Sequence, residues 1–400
     1  MSTLYTNRLF LNGNKVKQMY INGSKVYQLV EGTAPTPTPY DEQYLTFDIL
    51  SAGTIVWKTS NSGFTNTIRY SKNAGLTWND ITPTTAGTSF NVVPGDKVLF
   101  KGDNSAYSTS LNENTFSGTT AIFNVEGNIM SLINSRYFKD LKTISASYCF
   151  ADLFKNCSGL IDASNLILPA TTLSGLYCYE HMFASCTGLT SAPELPATTL
   201  AQYCYQYMFY GCRSLTNAPE LPATEMKSYC YYSMFNGCTG LTSAPELPAT
   251  TLAQYCYCSM FRDCTSLTQA PELPATTLAE NCYNNMFYRC TTITQAPELP
   301  ATTLADSCYQ SMFERCTNLI SATTLPATVL ANTCYASMFR NCSKLKYIKC
   351  LATDITATNC TNSWVSGVSS TGTFVKAASM TDWTRGNSGI PNNWTVQDAS

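Results

Sequence analysis

Apolar positions recur at a fixed interval through the second half of the chain. The segment LPATTLAQYCYQYMFYGCRSLTNAPE begins at Leu195, and similar segments follow every 26 residues. Full units start at Leu168, Leu195, Leu221, Leu247, Leu273, Leu299 and Leu325, and the first unit is one residue longer. A unit of this length cannot bury its own apolar face, so neighbouring units must stack on a continuous core. The pattern therefore predicts a solenoid over residues 131–350.

The pattern within each unit predicts a helix and a short strand. Four apolar side chains recur at every fourth residue, which favours one stripe along a helix of about three turns. In the unit from Leu195 they are Leu200, Cys204, Met208 and Cys212. Thr199 and Gln202 resemble a capping box at the start of this helix. Pro219 lies in the extended segment that follows and, because it has no N–H group, limits the strand to a few residues. We expect strand-helix units with a thin parallel ladder on one side and helices on the other.

The segments before the repeats favour antiparallel β-structure. Residues 1–30 contain LFLNGNKVKQ and MYINGSKVYQ, in which Asn-Gly within alternating apolar positions predicts hairpin turns. We expect a β-meander of about four short strands, too small to be stable alone, that anchors the chain to a larger partner. Residues 31–42 predict an extended Pro/Thr-rich linker, and the short β-type runs of residues 43–130 predict a β-sandwich.

The segment after the repeats departs from their pattern. Residues 351–400 carry Trp364, Trp383 and Trp394 among Gly, Ser and Asn, and we expect them to form a C-terminal cap on the solenoid. The predicted fold class is therefore mixed β and α/β: a β-meander, a β-sandwich, and a solenoid of 26-residue strand-helix units with its cap.

The repeat motifs resemble those of a known family. The pattern M-F-x-x-C-x-x-L, with L-P-A-T-T-L-A and C-Y, resembles the BspA-like leucine-rich repeats from about Tyr148 to Cys350. Such repeats are found in surface proteins of gut and oral bacteria and in the fibres and other virion proteins of phages that infect gut bacteroidetes. The resemblance implies an extended adhesive scaffold and carries no catalytic residues. Because the start, MSTLYTNRLFLNGNK, lacks the apolar segment of a signal peptide, we favour the phage form.

Composition narrows the classes of function. Charged residues make up 12% of the chain, and 24 Lys and Arg against 26 Asp and Glu give a net charge of −2. This balance offers no excess positive charge for nucleic acid, and no apolar run is long enough for membrane insertion. His181 is the single histidine, which removes most catalytic triads and zinc sites. We predict a non-enzymatic protein and assign no catalytic, cofactor-binding or metal-binding residue.

Nineteen cysteines leave three interpretations open. Eight pairs are spaced eight residues apart, the first at Cys149 and Cys157. The main interpretation is free thiols buried in the apolar stripe, since a chain folded in a cytoplasm stays reduced. Disulfides between repeats and a metal site are the alternatives, although the spacing differs from that of zinc ligands. The cysteines that break the pattern, and are expected to be more reactive, are Cys258, Cys350 and Cys360.

One glutamate per repeat forms a predicted acidic column. Its members are Glu194, Glu220, Glu246, Glu272 and Glu298. Stacked about 4.8 Å apart, neighbours repel by about 1 kcal/mol in water. The side chains could turn into solvent or accept hydrogen bonds from Thr and Asn, hold a row of Ca²⁺ ions, or face a ligand. The column is our alternative ligand-contact site.

The repeats differ most on either side of the Met-Phe pair, at positions expected on the outer surface. Tyr, Asn and Arg are frequent there, and planar amphipathic side chains suit recognition. Our candidate ligand contacts are Tyr210, Arg262, Tyr288, Arg289 and Arg315.

Together these features predict a phage virion protein, fibre-like or on the particle surface, that acts in host attachment. Residues 1–30 would bind other virion proteins, and the solenoid would contact a receptor, either a glycan or a protein of the host-cell surface. A homo-oligomer is compatible with this plan. The alternative is a bacterial cell-surface adhesin of the BspA-like type whose export signal is missing. A carbohydrate-active enzyme has less support, since no two carboxylates outside the acidic column are spaced for convergence.

Overall fold

The computed structural model describes the backbone of three strands within residues 1–42, and residues 43–381 and 383–400 in full. The chain forms two units, Met1–Gln43 and Tyr44–Ser400. In the first unit, β1 (Phe10–Leu11), β2 (Asn14–Ile21) and β3 (Ser24–Leu29) form an antiparallel sheet in that order. The expected number of strands was about four, and the described residues contain these three. The Asn-Gly turns and the linker at residues 31–42 lie outside the described residues.

The second unit begins with antiparallel sheets. Its first strands are β4 (Leu45–Ser51), β5 (Gly53–Thr59), β6 (Ile68–Ser71), β7 (Asn79–Ile81), β8 (Thr88–Val92), β9 (Lys97–Lys101), β10 (Asn114–Thr115) and β11 (Ile122–Asn128). β10, β5 and β8 form one sheet, and β11, β4, β9, β6 and β7 lie side by side in another. Phe47 and Trp57, one from each sheet, both pack on Phe116, with ring centroids 4.8 Å and 4.7 Å away. An aromatic core therefore joins the two sheets.

The β-sandwich predicted for residues 43–130 is not supported, because these sheets continue into the repeats. Two 3₁₀-helices follow β11, and then three short strands. These elements are Ile129–Leu132, Phe138–Asp140, β12 (Thr143–Ile144), β13 (Asn165–Ile167) and β14 (Thr172–Leu173). β13 pairs in parallel with β11 and so adds a strand from the repeats to the larger sheet. Phe116 also stacks on Phe154 of the repeats at 5.8 Å, so one core serves both regions.

The helices predicted in the repeats are wrong. The 3₁₀-helices above are the only helices among the described residues, and neither is long and apolar enough to cross a membrane. Each predicted helix is instead a run of turns. The N–H of Tyr205 donates to the carbonyl of Cys230 in the next repeat at 3.0 Å, whereas the N–H of Met208 donates back to Tyr205 at 3.2 Å. Alternating bonds of these two kinds make the array a β-solenoid, and the strand-helix units and the α/β part of the predicted fold class are not supported.

The interval of the apolar stripe explains this difference. Four residues of an α-helix advance about 400°, so a stripe at every fourth residue drifts by about 40° per step and leaves its face within three steps. The turn run keeps the interval because its backbone returns to a left-handed conformation every fourth residue, with φ of +64° at Tyr203, +55° at Tyr207 and +70° at Gly211. Thr199, predicted to cap the helix, instead forms a parallel bridge with Thr172.

Parallel pairing joins the segments that lie between the turn runs. In the central repeats it consists of isolated bridges, such as Asn217–Ser243, close to the prolines predicted to limit it. Towards the C-terminus it widens into a four-stranded parallel sheet of β15 (Ser321–Leu325), β16 (Tyr347–Cys350), β17 (Thr373–Lys376) and β18 (Thr395–Asp398). Residues 351–400 thus continue the sheet and also the core, where Trp364 stacks on Tyr335 at 6.1 Å.

Candidate binding surface

Each turn run presents three left-handed positions, which form three columns along the solenoid. In one repeat they are Tyr203, Tyr207 and Gly211, and the equivalent residues of the other repeats also have positive φ. Left-handed backbone costs about 1–3 kcal/mol for residues other than Gly, and Asn or Asp tolerate it best. The side chains found in these columns are therefore not those that the backbone alone would favour.

Five tyrosines occupy the first column of the early repeats, and we call them the tyrosine ladder. They are Tyr148, Tyr177, Tyr203, Tyr229 and Tyr255, all at φ between +56° and +64°. Neighbouring rings stack with centroids 4.3–4.9 Å apart, and all five side chains are partly exposed. Later repeats carry Asn281, Ser307, Thr333 and Asn359 in this column. In this first column, the aromatic side chains are thus confined to one half of the solenoid.

Stacking decides what the tyrosine ladder offers to a ligand. Because each inner ring is covered on both faces, the ladder presents ring edges and a row of hydroxyl groups to solvent. Burial and the neighbouring Tyr203 and Tyr148 raise the pKa of Tyr177 to about 12. Its hydroxyl therefore stays protonated at neutral pH and remains a hydrogen-bond donor.

A second aromatic group widens this surface. In the second column, His181 stacks on Tyr207 with centroids 4.7 Å apart and planes within 3°. The ring of Tyr232 lies between the columns, and its centroid is 5.3 Å from that of Tyr207 and 5.6 Å from that of Tyr229. Burial raises the pKa of Tyr232, with a contribution from Cys258. These rings form a continuous aromatic patch with the tyrosine ladder.

Of the five predicted ligand contacts, Arg289 and Arg315 belong to the third column, and the other three directly precede residues of that column. Tyr210 is 42% exposed, and Arg315 is exposed. The guanidinium of Arg262 lies 4.3 Å from the ring centroid of Tyr288, in a cation–π contact. Arg289 Nη1 lies 3.0 Å from Asp263 Oδ1. The ring of Tyr210 packs edge-on against Tyr207 with centroids 5.8 Å apart, so four of the five contact other surface residues. The role of all five in binding stays a prediction.

The five glutamates of the acidic column are all exposed. Exposure favours the interpretation in which these carboxylates are solvated. Within residues 43–381 and 383–400, no group of three or more His, Cys, Asp or Glu side chains is arranged to hold a metal ion. The row of Ca²⁺ ions therefore has no structural support.

All nineteen cysteines are free and buried, as in the main interpretation. The thiol of Cys212 donates to the carbonyl oxygen of Phe183 in the preceding repeat at 3.1 Å, and later repeats copy this bond. Burial raises the pKa of Cys238 to about 12, so its thiol stays protonated. The greater reactivity expected of Cys258, Cys350 and Cys360 has no support, because they are buried as well. Cys360 in fact lies one repeat beyond Cys334.

Sequence reasoning missed a cluster of charged side chains where the repeats begin. Lys155 Nζ lies 3.0 Å from Glu113 Oε2 and 2.9 Å from Asp152 Oδ1. His181 Nδ1 lies 3.8 Å from both Asp152 Oδ1 and Glu180 Oε1. Burial and the nearby Asp152 raise the pKa of Glu180 to about 7, whereas burial and Lys155 lower that of His181 to about 4. One signal was present in the sequence, since Asp152 and His181 occupy equivalent positions of consecutive units.

Comparison with known proteins agrees with the repeat architecture. The family described as "BspA type Leucine rich repeat region" matches residues 147–269 and 233–362, in six copies. These overlapping stretches cover more than half of the chain. A comparison with curated proteins found no match. Since the repeats, their turn runs and the family match coincide, this chain belongs to the BspA-type leucine-rich repeat family.

Proposed function

We propose that this chain is a non-enzymatic phage virion protein, fibre-like or on the particle surface, whose solenoid attaches to a host-cell surface. BspA-type repeats suit surface adhesion or binding. The observation that carries the proposal is the tyrosine ladder, because partly exposed aromatic side chains stand there at backbone positions that favour Asn or Gly. Backbone strain that persists at a surface is a pointer to function.

The ladder has the properties of a preorganised contact surface. Tyrosine contributes a large amphipathic area at little entropic cost. Each inner ring is held between its two neighbours, so less rotamer freedom is lost on binding than with isolated side chains. Hydroxyl groups that recur once per repeat match a target that itself repeats, such as a polymer of the cell surface.

The proposed partners follow from the arrangement along the chain. Residues 1–30 bind other virion proteins, and the solenoid binds a glycan or protein of the host, with copies of the chain free to associate. Net charge of −2 gives no attraction to nucleic acid. The second candidate, a bacterial cell-surface adhesin, shares the repeat family and the same binding surface.

Two measurements test the proposal. Antibodies against residues 150–350 should label purified virions in negative-stain microscopy, and virions without the protein would contradict the virion role. The full chain should also adsorb to cells of a panel of gut bacteroidetes. The variant with alanine at Tyr210, Arg262, Tyr288, Arg289 and Arg315 should adsorb at least about 10-fold more weakly at unchanged thermal stability, because Tyr and Arg carry much of interface energy. Undiminished adsorption would remove these residues from the contact surface.

A further inference from the structure

An open pocket of about 570 Å³ lies where the repeats begin, at the N-terminal end of the tyrosine ladder. One wall carries Tyr148 and Tyr177, the first two rings of the ladder. The loop of residues 109–113 forms another wall, and its Leu111 is 85% exposed. The pocket therefore continues the aromatic surface and ends it against a loop from the preceding sheets.

The lining also carries uncharged polar groups beside its charged ones. They belong to Ser60, Thr109, Ser110 and Asn112. Small-molecule pockets are usually apolar with a few placed polar groups, and this one differs by its many hydroxyl and amide groups. Such a lining suits a ligand that both donates and accepts hydrogen bonds over most of its surface.

Glu180 is the pocket carboxylate that has no lysine partner among the described residues. Its side chain is 16% exposed, and no residue in the described part of the chain donates a hydrogen bond to its carboxylate. The nearest ring nitrogen, His181 Nδ1, lies 3.8 Å away, beyond hydrogen-bond distance. Asp152 Oδ1 lies 3.8 Å from the same nitrogen. Glu180 lines the pocket, so a hydroxyl group of a ligand can donate a hydrogen bond to its carboxylate.

Charge in the pocket discriminates among ligands. Lys155 is the pocket's lysine, and it is already paired with Glu113 and Asp152. An acidic sugar or a phosphate would meet these carboxylates and Glu180 without an unpaired cation to bind. A neutral polyol meets none of this repulsion, since its hydroxyl groups donate to the carboxylates and its C–H groups pack on Leu111 and the tyrosine edges.

We propose that this pocket binds one sugar unit of a neutral glycan, whose chain continues along the tyrosine ladder. The inference rests on the proposed function and names the class of its receptor. Along the ladder, one tyrosine hydroxyl follows the next once per repeat, with ring centroids 4.3–4.9 Å apart. The pocket fixes the position of one unit, and the row of hydroxyl groups contacts the units beyond it.

The test is an array of immobilised oligosaccharides, including neutral hexoses, N-acetylhexosamines, amino sugars, uronic acids and sialylated chains. The full chain should bind neutral oligosaccharides. At pH 8, where Glu180 is mostly ionised, Glu180→Gln and Tyr148→Asn should each weaken this binding about 10-fold, the first through loss of the carboxylate charge and the second through loss of the aromatic wall. Glu225→Gln is the matched control, because Glu225 is an exposed carboxylate outside both the pocket and the acidic column, and its binding should equal that of wild type.

Three results would overturn the inference. The first is that the protein prefers acidic or amino sugars, and the second is that both pocket variants bind neutral oligosaccharides as well as wild type does. The third is that protease treatment of the cells abolishes adsorption, whereas periodate oxidation of cell-surface glycans leaves it intact. In each case wild-type protein that still adsorbs to cells leaves the proposed attachment function standing. Failure of wild type to adsorb to any cell of the panel would instead contradict that function itself.

Discussion

The rings of Tyr177 and Tyr203 stack with centroids 4.3 Å apart and planes within 9°, although 26 residues separate them in the chain. The same interval brings Phe183 onto Phe209 at 5.4 Å inside the core. Aromatic positions of one repeat therefore stack on their own counterparts in the next, both at the surface and in the core. A residue type that recurs at one position of the repeat forms a continuous column of side chains. The residue type at each repeat position therefore affects the whole surface.

Replacing tyrosines of the ladder by asparagine should leave the fold intact. In the variant Tyr203→Asn, Tyr229→Asn, Tyr255→Asn, each site loses ring stacking worth about 0.5–1.5 kcal/mol. Each site also gains a residue better suited to positive φ, which relieves backbone strain of about 1 kcal/mol or more. We expect the melting temperature to change little. Tyr205→Ala, at a buried ring of the same repeat, should cost about 3–5 kcal/mol. Equal destabilisation of the two variants would show that the ladder is structural.

The cysteines should behave as buried thiols. Their hydrogen bonds to backbone carbonyls and raised pKa values predict that a thiol reagent modifies few of the nineteen in native protein. After denaturation without reductant, nearly all nineteen should react. Mass spectrometry of the labelled protein counts them, and a majority that stays unreactive in denaturant would show disulfides.

The stability of the first repeats should depend on pH through two opposing groups. Glu180 keeps a proton in the folded state up to about pH 7, so its contribution to stability falls as pH rises from its ordinary pKa of 4.5 to about 7. His181 stays neutral in the folded state down to about pH 4, so its contribution rises from about pH 4 to its ordinary pKa of 6.5. The two cancel in large part between pH 4.5 and 6.5.

Single variants should reveal each contribution. Glu180→Gln should gain stability as pH rises from 4 to 6.5. At pH 8 it should exceed wild type by about 3 kcal/mol, since the pKa of Glu180 is raised from 4.5 to about 7 and one pKa unit is worth about 1.4 kcal/mol. His181→Asn keeps a residue suited to positive φ and should lose stability between pH 4.5 and 7. Melting temperatures measured across this range check both signs. Parallel profiles for wild type and both variants would contradict the assignment.

Deleting residues 1–30 should separate anchoring from folding. The unit Tyr44–Ser400 has its own core, so the truncated protein should stay soluble and melt at the same temperature as the full chain. Because these residues are proposed to bind other virion proteins, the truncated form should be missing from assembled particles. Its incorporation at the normal level, measured by immunoblot of purified virions, would assign the anchor to another segment.

The repeat could be predicted from sequence because its period and its buried positions are properties of the apolar pattern. Leu200, Cys204, Met208 and Cys212 are all buried, as expected of the stripe. The helix was a wrong prediction because the four-residue spacing of the apolar side chains was taken for the 3.6 residues per turn of an α-helix. Two adjacent side chains are buried at each step, Cys204 with Tyr205 and Met208 with Phe209, and this pairing indicates turns instead.

The candidate site was only partly predictable. Tyr210 and the four other predicted contacts could be chosen from the sequence, because the 26-residue period indicates which positions of each repeat face outward. The pocket depends on Glu113, whose loop precedes the repeats, meeting Asp152, Lys155 and Glu180 from two of them. No periodic pattern encodes a contact between a loop and a repeat, so its geometry required the folded chain.

Adsorption to host cells by the asparagine variant of the tyrosine ladder measures whether the ladder is the contact surface. The matched control carries Ser307→Asn and Thr333→Asn, which place the same residue in the same column beyond the ladder. Each protein is titrated onto intact cells of the bacteroidetes strain that wild type binds, with thermal melting alongside. If the tyrosine ladder is the contact surface, the control adsorbs like wild type. The ladder variant, equally folded, then adsorbs at least about 10-fold more weakly. Equal adsorption by all three folded proteins would contradict it.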